Sequence, residues 1–193
     1  MKYDPNKHHR QSIRLKDYDY SQLGAYFITI CTYNKEYLFG NVIDGKMDML
    51  EMGAIVGKCW YEIPDHFQNV LLDYFVVMPN HIHGIIDIAR AKHSHLTSTN
   101  KANPLPVNAS PLQSLQSCRI DKGSLGAIIQ NFKSVTTRKV NRMFGKRNVP
   151  LWQRNFYEHI IRNDDDLNDI GEYIVNNTLK WALDSENIAP TEL

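Results

Sequence analysis

"LLDYFVVMPNHIHGIIDI", Leu71 to Ile88, decides how this chain folds. β-Branched and aromatic residues dominate both halves, and only Pro79-Asn80 separates "LLDYFVVM" from "HIHGIIDI". That composition favours strands, and so short a link leaves room only for tight antiparallel pairing. Strand side chains alternate, so the second arm sets His81 and His83 on one face and Ile82 on the other.

On the N-terminal side, "AYFITICTY", Ala25 to Tyr33, reads as another strand. "LFGNVIDGKMDML" places Asp44-Gly45, a strong hairpin signal, between two short extended arms. Met52, Ile55, Val56, Cys59, Trp60 and Ile63 then recur at helical spacing, and Pro64 is expected to end that helix. On the C-terminal side, Ala91 to Lys122 is rich in Ser, Asn, Pro, Thr and Gln without periodicity, which predicts an exposed, mobile insertion. Ser124 is a fitting N-cap for a second helix carrying Leu125, Ile128, Ile129, Phe132, Val135, Val140 and Met143, closed by Gly145. "LWQRNFYEHII", Leu151 to Ile161, reads as a fourth core strand. "NDDDLNDIGEYIVNNTLKWAL", Asn163 to Leu183, reads as a last helix with Asn163 as cap and acids in its first turn.

Setting aside the early hairpin and the last helix, the order is strand, helix, strand, strand, helix, strand. The expected fold is therefore α+β: a ferredoxin-like split βαβ antiparallel sheet with helices on one face, plus a C-terminal helix. At 193 residues the chain is the size of one domain, residues 1–193, with the insertion at 91–122 as an embellishment.

Composition narrows the function classes. An apolar content of 42% and a mean hydropathy of −0.42 describe a globular protein, and no apolar run approaches the roughly 20 residues that span a bilayer. "MKYDPNKHHRQSIRLKDYDY" has no apolar centre of the kind a signal peptide needs. Cys31, Cys59 and Cys118 are odd in number and never spaced as CxxC, which argues against a disulfide framework and for a reducing cytoplasm. Net charge is only +1, but from Asn131 to Asn148 Lys133, Arg138, Lys139, Arg142, Lys146 and Arg147 occur without an acid. That segment is either a phosphate-binding face or a solvated helix face.

Imidazole is the commonest metal ligand, and two on one strand face can hold one ion from one side; two hydrogen-bonded core histidines are the plainer reading. His93-Ser94-His95 repeats the spacing inside the polar insertion, where nothing would fix the rings. A third ligand is needed, and Tyr173 and Asn177, four apart in the last helix, share a face. Asn offers a neutral oxygen suited to magnesium or manganese, and a tyrosine with a pKa of about 10 needs a nearby charge or metal to become a nucleophile. Taken alone, a tyrosine at helical spacing from Leu167, Ile170 and Ile174 is usually core.

His81-Ile82-His83 preceded by "MPN", the helix "LGAIIQNFKSVTTRKVNR", then "LWQRNFYEHIIRN" and "YIVNN" followed by Trp181, together resemble the HUH single-tyrosine transposases, specifically the REP-associated tyrosine transposases. The resemblance runs from about Arg10 to Trp181 outside the insertion. It implies His81 and His83 as metal ligands, Asn177 completing the set, Tyr173 as the attacking residue, and Mg2+ or Mn2+ as the ion. It also implies cutting of single-stranded DNA beside a hairpin through a 5′-phosphotyrosine link, followed by strand transfer, by a monomer or homodimer.

Tyr157, on a predicted strand with His159 two residues on, is a rival nucleophile or a packing residue. Trp152 either stacks on nucleic acid or belongs to the core. Arg154, with Lys133, Arg138, Lys139 and Arg142 on the basic helix, would contact a DNA backbone, and Arg10 and Arg14 in the N-terminal arm could reach a groove. Two other classes stay open: a non-catalytic binder of structured DNA or RNA, and a small zinc protein, for which a fourth ligand is lacking.

Overall fold

The computed structural model describes residues 18–20, 22–89, 123–184, 186 and 187. Arg10, Arg14 and the expected insertion at 91–122 lie outside them.

Four strands form the main sheet: β1 (Gly24–Cys31), β4 (Val70–Val77), β5 (His81–Ile88) and β6 (Tyr157–Ile161), in the order β4-β5-β1-β6 with every neighbour antiparallel. β2 (Gly40–Ile43) and β3 (Lys46–Met49) pair separately as a hairpin. Its turn residues, Asp44 and Gly45, have φ of 50° and 72°, the left-handed pair that matches the twist of two-residue hairpins. The helices are α1 (Glu51–Tyr61), α2 (Ile63–His66), α3 (Leu125–Met143) and α4 (Asp164–Val175). The main sheet with α1 and α3 is the ferredoxin-like split βαβ that the sequence predicts.

Alternation divides the core into two layers. Tyr26, Ile28, Ile30, Ile82 and Ile86 pack beneath α1 and α3, against Trp60, Ile128, Ile129 and Phe132. Trp60 lies at the centre, stacked on Phe75 at 4.8 Å and edge-on to Phe132 at 5.5 Å. β5 can pass under the indole because residue 84 is glycine; a Cβ there would overlap the Trp60 ring. The opposite layer is smaller: Phe27 and Ile85 meet Ile174, with Leu167 and Ile170 at its border. α4 therefore covers the face that carries His81 and His83. It closes on β4 at Gly171, where a Cβ would stand 2.7 Å from the Tyr74 ring.

Three boundaries differ from the sequence reading. Pro64 does not follow a continuous helix to Ile63; α1 ends at Tyr61, and Pro64 occupies the first turn of α2, where its missing N–H costs nothing. The fourth strand is only Tyr157–Ile161, because Trp152 makes a single bridge to Thr32 and the intervening backbone turns away. The last helix ends at Val175 with Asn176 as its C-cap, so Asn177 lies in the following turn and Trp181–Leu183 forms a separate 3-10 turn. Consecutive Asn residues, poor in a helix interior, mark that break.

Candidate metal and tyrosine site

His81 and His83 are both buried, and their Nε2 atoms converge to 2.9 Å. Each ring is fixed from behind. Asn80 donates through Nδ2 to the carbonyls of Lys35, at 3.2 Å, and Glu186, at 2.7 Å, so its Oδ1 is the atom that faces His81 Nδ1 at 2.8 Å. His81 Nδ1 therefore carries the proton, and its Nε2 keeps a lone pair. His83 Nδ1 stands 2.9 Å from Thr29 Oγ1, its ring stacks on Phe27 at 5.3 Å, and the Tyr173 hydroxyl lies at hydrogen-bond distance, 3.2 Å, from its Nε2. Both Nε2 atoms thus face one space. Burial lowers both histidines from the usual value to about 3, with Lys35 adding to the effect on His81 and His81 to that on His83. Both are neutral, the state a metal ligand needs.

The C-terminal segment completes the surroundings. Trp181 packs against His81 at 5.9 Å and Tyr37 at 5.7 Å, and the Glu186 carboxylate pairs with Lys35 at 2.9 Å and accepts from the Cys31 thiol at 3.3 Å. These contacts carry Asp184 to the histidines: one ligand atom from each of His81, His83 and Asp184 lies within 4.8 Å of the others. This His-His-Asp group could hold a metal ion. Asn177, 2% exposed, has an Oδ1 with no hydrogen-bond partner among the described residues. A buried orphan oxygen is costly unless something is bound there, and a hard divalent ion is such a group.

Tyr173 is held at the same place. Gly171 sets the depth of α4, and two residues later the phenol ring meets His83 at 5.2 Å and Phe27 at 6.0 Å. Burial raises its pKa, Asp184 and Glu186 add to the rise, and a hydrogen bond from Asn177 opposes it. Tyr157 shares the face, directly paired with Thr29, which is itself paired with His83. It is half-exposed, and its ring contacts Phe27 at 6.4 Å rather than either histidine.

The other candidates scatter. Lys133 is not a free cation: its ammonium donates to the carbonyls of Gln153, Arg154 and Asn155, and burial lowers its pKa to about 8. Lys139 pairs with Glu62 at 2.6 Å, tying α3 to the end of α1. Arg138, Arg142 and Arg154 are exposed and form no ion pair among the described residues. Trp152 is core, with Nε1 donating to Thr136 Oγ1 at 2.7 Å, and His159 pairs with Asp166 at 3.0 Å. Sequence reasoning missed Asp184 and Glu186, which follow the last periodic segment and acquire meaning only when the tail folds back. It read Asn80 as a turn residue and as part of the "MPN" before the histidines, without a role for its side chain; a polar residue directly before a buried histidine was the available signal.

No family model matches the chain. An uncharacterized protein of Haemophilus influenzae is 42% identical over 187 residues, covering 95% of this chain and 96% of that protein. Among solved structures, the REP-associated tyrosine transposase determined with a REP hairpin superposes with a TM-score of 0.53 at 17% identity, covering 89% of this chain and 74% of that one. At that identity the likeness establishes a shared fold. No helix among the described residues is long and apolar enough to cross a membrane.

Proposed function

Because the chain belongs to one family with the Haemophilus influenzae protein and has the fold of the REP-associated tyrosine transposase, we propose that it is an HUH-type transposase, a metal-dependent single-stranded DNA endonuclease and strand transferase acting beside hairpins. The observation that carries the reading is the meeting of three groups from one chain: His81 Nε2, His83 Nε2 and the Tyr173 hydroxyl. A plain binding module would not need this set buried together. That the tyrosine meets histidines of its own chain supports use of the site within one protomer.

His81, His83 and Asp184 would hold the ion, with the Asn177 amide oxygen facing it. Mn2+ or Mg2+ bound there would polarise a non-bridging phosphate oxygen and offset the charge that develops in the displacement. The Tyr173 hydroxyl loses its proton as its oxygen attacks phosphorus, the bond to O3′ breaks, and the departing oxygen takes up a proton to become a 3′-hydroxyl. The product is a 5′-phosphotyrosine, and attack on it by another 3′-hydroxyl restores a phosphodiester and releases the phenol. Asn177 steadies the phenolate by donating to it. Thr29, Phe27 and Asn80 keep the imidazoles in place. Tyr157, whose ring contacts Phe27 and neither histidine, is assigned no part in bond making. With unpaired cysteines at 31 and 59, a cytoplasmic protein is the reading that fits.

The test is a denaturing gel of the protein with end-labelled hairpin DNA and Mn2+. A covalent adduct that vanishes in Tyr173→Phe and persists in Tyr157→Phe is expected. DNA binding without an adduct on any hairpin flanking the gene would favour a non-catalytic binder.

A further inference from the structure

His81 and His83 stand Nε2 to Nε2 at 2.9 Å, the spacing of a hydrogen bond with a single proton between the two nitrogens. With no proton there, two lone pairs would face each other; with two, the N–H groups would collide. Resting on the proposed activity, we propose that the metal-free rings hold opposite tautomers, and that Thr29 is a positioning residue whose hydroxyl turns from donor to acceptor when His83 frees its Nε2 for an ion.

His81 is the fixed member of the pair. Asn80 Nδ2 donates to the carbonyls of Lys35 and Glu186, at 3.2 and 2.7 Å, so Oδ1 faces His81 Nδ1 and keeps the ring's proton there. Turning the amide over would lose both carbonyl bonds and set an oxygen against them. Burial keeps both rings neutral, with one proton each. His81 Nε2 is therefore bare, and the proton between the rings belongs to His83.

His83 is the movable member. With its proton on Nε2, its Nδ1 is an acceptor, and the Thr29 hydroxyl 2.9 Å away then donates to it. A hydroxyl has one donor and two acceptor sites, so the same oxygen can serve the other tautomer. A committed amide in its place would fix one tautomer, as Asn80 does for His81. Thr29 is directly paired with His83 across β1 and β5 and is half-buried, so when it accepts from Nδ1 its own proton can turn to solvent.

Tyr173 fits the same assignment. Its oxygen lies 3.2 Å from His83 Nε2 and is hydrogen-bonded to Asn177. A proton on that nitrogen leaves the phenol oxygen an acceptor on both sides in the metal-free state.

Both Nε2 lone pairs are needed to hold an ion. His83 Nε2 then gives its proton to solvent, Nδ1 takes the Thr29 hydroxyl proton, and the hydroxyl regains one from solvent. Ring and hydroxyl end neutral, and the new Nδ1–H donates to Thr29 Oγ1. On an ion-bound imidazole that N–H is a charge-assisted donor, stronger than the neutral bond it replaces, so the Thr29 oxygen favours the loaded state. The closed pair keeps the site in order without an ion and opens through one hydroxyl.

The experiment reads the ring protons directly, by nitrogen NMR of the full chain with isotope-labelled histidine at neutral pH, without metal and with Zn2+ as a diamagnetic stand-in for Mn2+. The metal-free protein is expected to carry its protons on Nδ1 of His81 and Nε2 of His83, and Zn2+ is expected to move only the second, to Nδ1. In calorimetry with Mn2+, Thr29→Val should bind at least about tenfold more weakly than wild type and Thr29→Ser within about threefold, at matched melting temperature. Protons on Nδ1 of both rings before metal is added would overturn the proposal, as would a His83 Nε2 proton that survives Zn2+. Wild-type Mn2+ affinity in Thr29→Val, or an equal loss in Thr29→Ser, would likewise overturn it by removing the hydroxyl from the exchange. Adduct formation on hairpin DNA is scored separately. Opposite tautomers without any adduct would retain the exchange and remove the catalytic reading, and an adduct from protein whose rings share one tautomer would do the reverse.

Discussion

Asn80 ties the first histidine to the C-terminal tail with one amide: Nδ2 lies 2.7 Å from the Glu186 carbonyl oxygen while Oδ1 receives the His81 Nδ1 proton at 2.8 Å. Because the donor side is committed to two carbonyls, the acceptor side has no freedom, and His81 is locked as the tautomer whose Nε2 can bind a cation. Asn80→Ala should weaken Mn2+ binding by about 10–100-fold, the usual cost of losing a group that orients a ligand. Calorimetric titration of the folded variant checks this. Wild-type affinity in Asn80→Ala would reduce the residue to a turn former.

Acid should unfold the metal-free protein through the same two rings. Burial holds His81 and His83 at about 3, below their ordinary 6.5, so between those values the unfolded chain binds protons that the folded chain does not. Stability is then full above about pH 6.5 and falls as pH drops, by up to about 1.4 kcal/mol per pH unit for each histidine. Urea denaturation at pH 7 and pH 5 reads the effect above the range where most carboxylates titrate. His81→Phe/His83→Phe should flatten the difference, and an undiminished pH 5 loss would assign it elsewhere.

Gly84 tests the main core. A Cβ at this position would overlap the Trp60 ring, which is itself wedged between Phe75 and Phe132. Neither the indole nor the central strand has space to retreat, so Gly84→Ala should cost about 1–3 kcal/mol, as overpacking does. Thermal unfolding measures it. Because Gly84 faces away from His81 and His83, Mn2+ affinity of the protein that remains folded should change little.

How legible the fold was depended on the range of the interactions involved. Alternation in "HIHGIIDI" and the helical spacing of Leu125 to Met143 are local, and both elements formed as the pattern required. Pro64 and the Asn176-Asn177 pair were local signals too, yet their effect depended on context: the apolar stripe through Ile63 continued across a helix break that packing, not periodicity, allowed. At the candidate site the sequence offered His81, His83, Tyr173 and Asn177, and the structure brings all four together. Asp184 was illegible because its place comes from Trp181 on Tyr37 and Glu186 on Lys35, contacts across some 150 residues that no spacing encodes. Lys133 looked like a phosphate contact because its charge was visible and its three carbonyl partners were not.

Asp184 makes two opposite demands, and replacing it should separate them. Its carboxylate lies with the His81 and His83 nitrogens as a possible third ligand, and the same negative charge helps to hold the Tyr173 phenol above its ordinary pKa. In the metal-free protein, Asp184→Asn should therefore lower the Tyr173 pKa, making the nucleophile easier to ionise. With metal, the variant has lost a charged ligand, so Mn2+ should bind at least about tenfold more weakly, the scale of a lost oriented metal partner. Adduct formation at limiting Mn2+ should fall although the phenol is more acidic, and excess Mn2+ should restore much of it. NMR titration of ring-labelled tyrosine gives the pKa, and calorimetry gives the affinity. If the pKa drops while Mn2+ affinity stays at the wild-type level, Asp184 acts on the tyrosine alone and the ion is held by the histidines with Asn177.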